Sequence, residues 1–240
     1  MHRRARHLTG RAADAKLYFD ARFISGASDG TAIQTWTDLS TAANNATQAT
    51  VGKRPLYKVN IQGGCPMLLF DNVDDAFRTG TTTIGTAATM LGVCKLLSTS
   101  TQDGLLYIGN GVTYTPNYGQ MTFANYNSQW LLSNYSGTVT NLSGDVTATT
   151  DTNFNIHSCI FNDSSVNRLI KNGVQSGTNT YVSPNINSAT LPVIGAWHDA
   201  GQWIWNGYIG LVAYWSVALS APLRRRFEQS FSRSYKIACS

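Results

Sequence analysis

Trp36-Thr37-Asp38-Leu39-Ser40, followed by Asn44-Asn45-Ala46-Thr47-Gln48, Arg54-Pro55 and Phe70-Asp71-Asn72-Val73-Asp74-Asp75, is the stretch on which the fold is read. Each piece joins an aromatic or β-branched residue to a cluster of Asp, Asn and Ser, the chemistry of strand ends running into turns. Outward from it, runs rich in Val, Ile, Tyr, Phe, Trp and Thr recur at 17–23, 32–39, 67–71, 89–97, 104–109, 118–126, 129–135, 154–161, 168–175, 191–197 and 207–215. About a dozen short strands at that spacing predict a sandwich or a barrel. Asn172-Gly173, set between Arg168-Leu169-Ile170-Lys171 and Val174-Gln175, is the strongest hairpin signal, and Asn110-Gly111 is a second candidate turn. One helix is expected, at about 220–235: Ser220 can cap it, Pro222 suits its first turn, and Leu223, Phe227, Phe231 and Tyr235 repeat at four-residue spacing. Its apolar stripe should dock on the sandwich, leaving Arg224, Arg225 and Arg226 pointing largely outward.

The composition fits such a chain. Its 240 residues are 42% hydrophobic and only 13% charged, enough for one all-β domain with a sizeable core. The net charge of +5 belongs to the two ends. Arg3, Arg4, Arg6, Arg11 and Lys16 oppose Asp14 in the first segment, and Arg224, Arg225, Arg226, Arg233 and Lys236 oppose Glu228 in the last, while the middle is acidic on balance. The reading is a basic N-terminal arm over 1–16 and a domain over 17–240. The arm and the helical arginines are candidate attachment groups for phosphate or for an acidic protein neighbour; a solvated arm and helix face is the plainer reading. No apolar run follows the charged start, so neither an export signal nor a membrane anchor is expected. Cys65, Cys94, Cys159 and Cys239 are widely spaced and read as free thiols.

Quoted in order, the opening pieces resemble the concanavalin A-like, laminin G-like jelly-roll superfamily. Their W-x-D-x-S strand, "N-N-A-T-Q" turn and "F-D-x-x-D-D" ending look like its opening pattern. Ile194-Gly195, Trp205-Asn206-Gly207-Tyr208-Ile209-Gly210 and Ala218-Leu219-Ser220 with the arginine-bearing helix resemble its closing strand and terminal helix, and Ile170-Lys171-Asn172-Gly173-Val174 resembles its "x-V-N-G-V" hairpin. The resemblance spans 17–237 and implies an antiparallel two-sheet jelly-roll sandwich with a short C-terminal helix. Two positions depart from the pattern: Asn72 stands where Gly is common, and Leu211 where an acidic residue is common. Versions of this pattern are familiar in tailed-phage virion proteins and in bacterial surface proteins, an association that does not fix function.

Three sets of residues carry candidate chemistry. Trp197, His198, Trp203, Trp205 and Tyr208 crowd one region and form a candidate glycan site, because sugar rings stack on aromatic faces. Tyr114, Tyr118, Tyr126, Trp130 and Tyr135 make a second aromatic stretch, and core filling accounts for many members of both. Asp71, Asp74 and Asp75 are candidate calcium ligands, with Asp103 and Asp199 as distant partners; turn stabilisation is the competing explanation. Gly26-Ala27-Ser28-Asp29-Gly30 matches the nucleophile-elbow pattern but runs into another strand rather than a helix, so the match is read as chance.

Catalysis is not expected. Glu228 is the sole glutamate and lies in the basic helical tail, and no aspartate pair suggests the two flanking carboxyls of a glycosidase. The expected role is a non-enzymatic accessory or decoration protein on the surface of a phage-like particle, made in the host cytoplasm and partnered by other virion or scaffold proteins, with surface glycans as further ligands. A carbohydrate-binding adhesion module on a bacterial cell surface is the alternative, and an aspartate-based glycosidase or lyase a second one. No cofactor is required on this reading, and calcium is the one admitted. Membrane and nucleic-acid partners are not expected, and oligomeric state is not readable.

Overall fold

The computed structural model describes residues 14–83, 85, 87–100, 102–109, 120–126, 128–135, 146–163, 166–180, 191–197 and 202–240. Among the described residues, sixteen strands form two antiparallel sheets, and one α-helix follows them. The first sheet holds β1 (Leu17–Asp20), β4 (Leu56–Gln62), β5 (Cys65–Asp71), β7 (Ala88–Leu96), β12 (Asn155–Asp163), β13 (Val166–Lys171), β14 (Val174–Asn179) and β16 (Asn206–Trp215). Its order is β14-β13-β12-β7-β16-β5-β4, with β1 added on β16. The second holds β2 (Thr35–Trp36), β3 (Ala46–Thr47), β6 (Phe77–Arg78), β8 (Asp103–Ile108), β9 (Gln120–Tyr126), β10 (Gln129–Tyr135), β11 (Val146–Thr149) and β15 (Val193–Ile194), in the order β11-β10-β9-β8-β15-β6-β3-β2. This is the expected jelly-roll sandwich, and the helix, α1 (Ala221–Tyr235), closes it.

The main core lies between the sheets, where Phe19, Trp36, Phe70, Phe77, Phe123, Trp130, Phe161, Trp205 and Tyr214 are buried. A second core lies on the outer face of the first sheet. There Ile156, Leu91, Val93, Leu211, Ala213 and Trp215 meet Phe227, Phe231 and Tyr235 of α1. Coverage on both faces explains why β7 and β16 are almost unbroken apolar runs, and β12 is likewise covered on both sides, with Ile156 and Ile160 turned outward and Cys159 and Phe161 inward.

The diagnostic opening motif is structural. Asp38 Oδ1 accepts the backbone N–H groups of Tyr18 and Ser40, and its Oδ2 accepts from Ser40 Oγ and the Asn44 N–H. Asn45 Oδ1 accepts the Asp38 N–H, and Arg54 ties the turn down through the carbonyls of Gln48 and Ala49. Trp36 packs between Phe19 and Phe77 at centroid distances of 5.5 and 6.0 Å. These residues join β1 to both sheets, which is why the pattern identifies a fold and carries no chemistry.

Asn172 and Gly173 both have positive φ, 51° and 85°, the geometry of a two-residue hairpin turn between β13 and β14. Asn72 holds φ 65°, so Asn occupies the left-handed turn that Gly commonly fills. Asn110-Gly111 lies outside the described residues. Ser28 is exposed and pairs with Thr31, and both sheets are antiparallel, so there is no nucleophile elbow. Ser220 makes no side-chain cap bond, contrary to expectation, while Pro222 does sit in the first turn. A larger correction concerns the arginines. Arg225 and Arg226 are exposed, but Arg224 is buried at 7% exposure and ion-paired with Glu228. Ala15 is buried and the Lys16 N–H donates to the Tyr214 carbonyl, so packing begins just before β1. Arg3, Arg4, Arg6 and Arg11 lie outside the described residues. All four cysteines are free, Cys94 and Cys159 buried, Cys65 and Cys239 half-buried.

Candidate functional site

Two half-buried aromatic side chains meet on the segment between β15 and β16. Trp197 and Gln202 pair as an antiparallel bridge, so the chain doubles back and brings Trp203 against Trp197. The two indoles stack, with centroids 4.4 Å apart and planes 20° apart. Tyr126, at the end of β9, extends this face: its ring lies 5.1 Å from Trp203, and it is 37% exposed. Both tryptophans are half-buried, so the three rings present one apolar, partly solvated surface.

The support beneath the rings is rigid. The Gly104 N–H donates to the Trp203 carbonyl at 2.6 Å, and a Cβ on Gly104 would lie 2.5–2.7 Å from backbone atoms of Ala196 and Trp197. β8 therefore has glycine where the doubled segment crosses it. Next to it, buried Asp103 accepts the Asn206 N–H at 2.8 Å and a side-chain N–H of Asn125 at 2.9 Å, tying β8, β9 and the start of β16 together. Trp203 itself has φ 52°, a left-handed backbone that a bulky residue rarely adopts.

Of the expected glycan residues, Trp197 and Trp203 are brought together and His198 lies outside the described residues. Trp205 is not at the surface: it is fully buried, 6.1 Å from Trp130 in the main core. Tyr208 is on the other side of the first sheet, packed 6.2 Å from Phe154 beside the helical core. Tyr126 comes from the second aromatic stretch, whose Trp130 is core, while Tyr114 and Tyr118 lie outside the described residues.

The structure does gather Asp71, Asp74 and Asp75, with one carboxylate oxygen from each lying within 4.8 Å of the others. Asp71 Oδ1 accepts the N–H groups of Val73, Asp74 and Asp75, Asp75 Oδ2 accepts that of Asp71, and Asp74 meets Lys53 at 3.6 Å. The cluster is thus a hydrogen-bonded turn that can offer three oxygens of the six to eight calcium takes. Burial, and then the charge of Asp71, push the Asp75 carboxyl up to about 7. Asp103 is not a member of the group, being committed to Asn206 and Asn125, and Asp199 lies outside the described residues.

Glu228 is as unavailable for catalysis as its sequence position suggests, but for a different reason. It is buried beneath α1, ion-paired with Arg224, and accepts a 2.5 Å hydrogen bond from Ser158 Oγ. His157 is buried between Phe123 and Trp130, and neither ring nitrogen has a hydrogen-bond partner among the described residues.

No family model matches the chain, and no curated protein is similar to it in sequence. Solved structures do resemble it. The receptor-binding domain of botulinum neurotoxin D superposes with a TM-score of 0.61 at 10% identity, over 92% of this chain and 53% of that one. The binding domain of botulinum neurotoxin DC, solved in complex with SialylT, gives 0.59 at 11%, over 91% and 52%. A Trypanosoma rangeli sialidase, solved with 2,3-difluorosialic acid as a covalent intermediate, gives 0.58 at 13%, over 91% and 33%. The chain spans about a third to a half of the length of these structures. At such identities the likeness is one of fold, an antiparallel β-sandwich.

Proposed function

We propose that the chain is a non-enzymatic glycan-binding module whose contact surface is the Trp197–Trp203–Tyr126 face. The observation that carries this reading is the stacked, half-exposed indole pair, flanked by a tyrosine from another strand and held by a braced backbone. Flat aromatic surfaces of this kind take the apolar face of a pyranose ring, and polar neighbours orient its hydroxyls. The left-handed backbone at Trp203 supports the same reading, because such strain persists where the surroundings impose it and concentrates at ligand sites. Two solved structures of like fold hold sialic acid derivatives or sialylated ligands, which makes acidic and neutral bacterial or host glycans a reasonable first panel.

A non-enzymatic role fits the carboxylates. Glu228 is sealed under α1 and Asp103 is consumed in bracing β8, so neither can flank a bound sugar as acid or nucleophile. Calcium at Asp71, Asp74 and Asp75 is proposed as an accessory ligand.

The test is intrinsic tryptophan fluorescence against a glycan panel, first with calcium and then with EDTA. A saturable, sugar-specific change that Trp203→Ala abolishes is expected. Binding unaffected by both Trp203→Ala and Tyr126→Ala would reject this surface, and loss with EDTA would bring the ion into the site.

For setting, we propose display on a phage-like particle, with a bacterial cell surface as the alternative. Arg3, Arg4, Arg6 and Arg11 are the proposed attachment groups. Support comes from the resemblance of the opening pattern to virion proteins and from the concentration of positive charge at the chain ends. Removing residues 1–13, which spares buried Ala15, should lower particle occupancy at low salt, and the difference from the full chain should shrink as salt rises; occupancy equal to that of the full chain at low salt would exclude the arm.

A further inference from the structure

We propose that the turn over residues 26–30 caps the outer edge of β4, and that Asp29, by accepting the Val59 N–H, keeps this edge from pairing with β4 of a second copy of the chain. β4 ends the first sheet, with β5 on its inner side and, among the described residues, no strand of that sheet on its outer side. An edge of this kind presents a row of backbone N–H and C=O groups ready to pair with another chain. From Pro55 to Val59 that row is already taken. Ala32 bridges Leu56 in the antiparallel sense, and the Ile33 N–H donates to the Pro55 carbonyl at 3.0 Å. The Tyr57 N–H donates to the Thr31 carbonyl at 2.8 Å, and the Tyr57 carbonyl accepts the Gly30 N–H at 2.7 Å. Further along the strand a side chain takes over from the backbone: Asp29 Oδ1 accepts the Val59 N–H at 3.0 Å, and Asp29 Oδ2 meets Lys58 Nζ at 3.1 Å. The Val59 N–H, and then Lys58, hold the Asp29 carboxyl below its usual range, so it stays an ionised acceptor.

The cap does not offer a new edge in place of the old one. The Thr31 N–H donates to the Ser28 carbonyl at 3.0 Å and the Ser28 N–H to Thr31 Oγ1 at 3.1 Å, so the chain closes into a turn where a further strand would have to be extended. Gly26 and Gly30 hold φ of 74° and 82°, left-handed positions that glycine fills without strain. Gly26-Ala27-Ser28-Asp29-Gly30, which shares its letters with a nucleophile elbow, is therefore an edge-closing turn. The partner that fits the strand beneath is the same strand. Two copies of β4 laid antiparallel across a two-fold axis exchange the same N–H and C=O groups, and Leu56 and Val59 are apolar side chains already exposed along it.

The experiment is sedimentation velocity on the full chain over a range of protein concentrations, in moderate salt to screen the Lys58 left unpaired when Asp29 is removed. Asp29→Ala frees the Val59 N–H and should sediment at about twice the wild-type mass at the highest concentration. Asp29→Asn keeps an oxygen for that N–H and should sediment as the wild type does. Adding Val59→Lys to Asp29→Ala sets like charges on the facing strands and should restore the wild-type mass. Both positions are exposed, so the melting curves of these variants should match that of the wild type. Wild-type mass for Asp29→Ala at every concentration, equal association of Asp29→Asn, or association that survives Val59→Lys would each overturn the proposal.

Discussion

At His157 the interior imposes a charge state. Burial, followed by the charge of Lys171, lowers its pKa from 6.5 to about 3, with Asp151 opposing. The folded chain therefore refuses a proton that the unfolded chain accepts below about pH 6.5. Stability is full above that value and falls as pH drops toward 3, by roughly 4–5 kcal/mol at the limit. Urea unfolding at pH 7 and pH 4 should show this loss in the wild type, and His157→Leu should flatten it; equal pH dependence in the two proteins would contradict the assignment. Asp75 has the opposite sign. Its carboxyl is raised to about 7, so the folded state holds its proton more tightly than the unfolded state, and stability is lost as pH rises from about 4 through 7. Asp75→Asn keeps an acceptor for the Asp71 N–H and should raise the melting temperature at pH 8 while leaving it unchanged near pH 4. Neither shift is legible in the sequence, where His157 is one residue of the strand-like run 154–161 and Asp75 one of three turn aspartates, because both depend on burial supplied by distant strands.

At the scale of the element, α1 shows what four-residue spacing reveals and what it hides. Phe227, Phe231 and Tyr235 dock as their periodicity predicts. Arg224 and Glu228 share the same spacing and are buried with them, yet such a pair usually marks a solvated helix face. What keeps it inside is Ser158 on β12, a residue 70 positions away that no local pattern connects to the helix. Breaking a buried pair leaves an uncompensated charge, so Glu228→Gln should destabilise the fold by about 3–5 kcal/mol in urea unfolding. The double variant Arg224→Met, Glu228→Leu should recover most of that loss, since apolar replacement of both partners removes the desolvation cost. A double variant no more stable than Glu228→Gln would mean that the pair itself holds α1 to the sheet. The Asn172-Gly173 turn was fully legible by contrast, because its geometry is decided by its own two residues.

For the molecule as a whole, the question is how one sandwich keeps its core aromatics apart from its partly exposed ones. The sequence brought out the crowding of Trp197, Trp203 and Trp205 but not their division. In an unbroken strand Trp203 and Trp205, two residues apart, would share a face. The left-handed turn at Trp203 breaks that alternation, sending Trp205 into the main core and leaving Trp203 outside. Tyr126 joins Trp203 only because β9 pairs with β8 and β8 with β15, contacts of long sequence separation that no local reading shows. The division predicts opposite outcomes for two neighbouring tryptophans. Trp205→Ala opens a cavity among Trp130 and its neighbours between the sheets and should cost about 3–5 kcal/mol, a large share of an ordinary domain's stability. Trp203→Gly removes a half-exposed ring and relieves the positive φ, so its unfolding free energy should stay within about 1 kcal/mol of wild type. Glycan binding should be lost in that variant while its circular dichroism and melting curve persist. If Trp203→Gly instead destabilised the chain as much as Trp205→Ala does, the indole stack would be part of the core, and the aromatic face would have to be abandoned as a ligand surface.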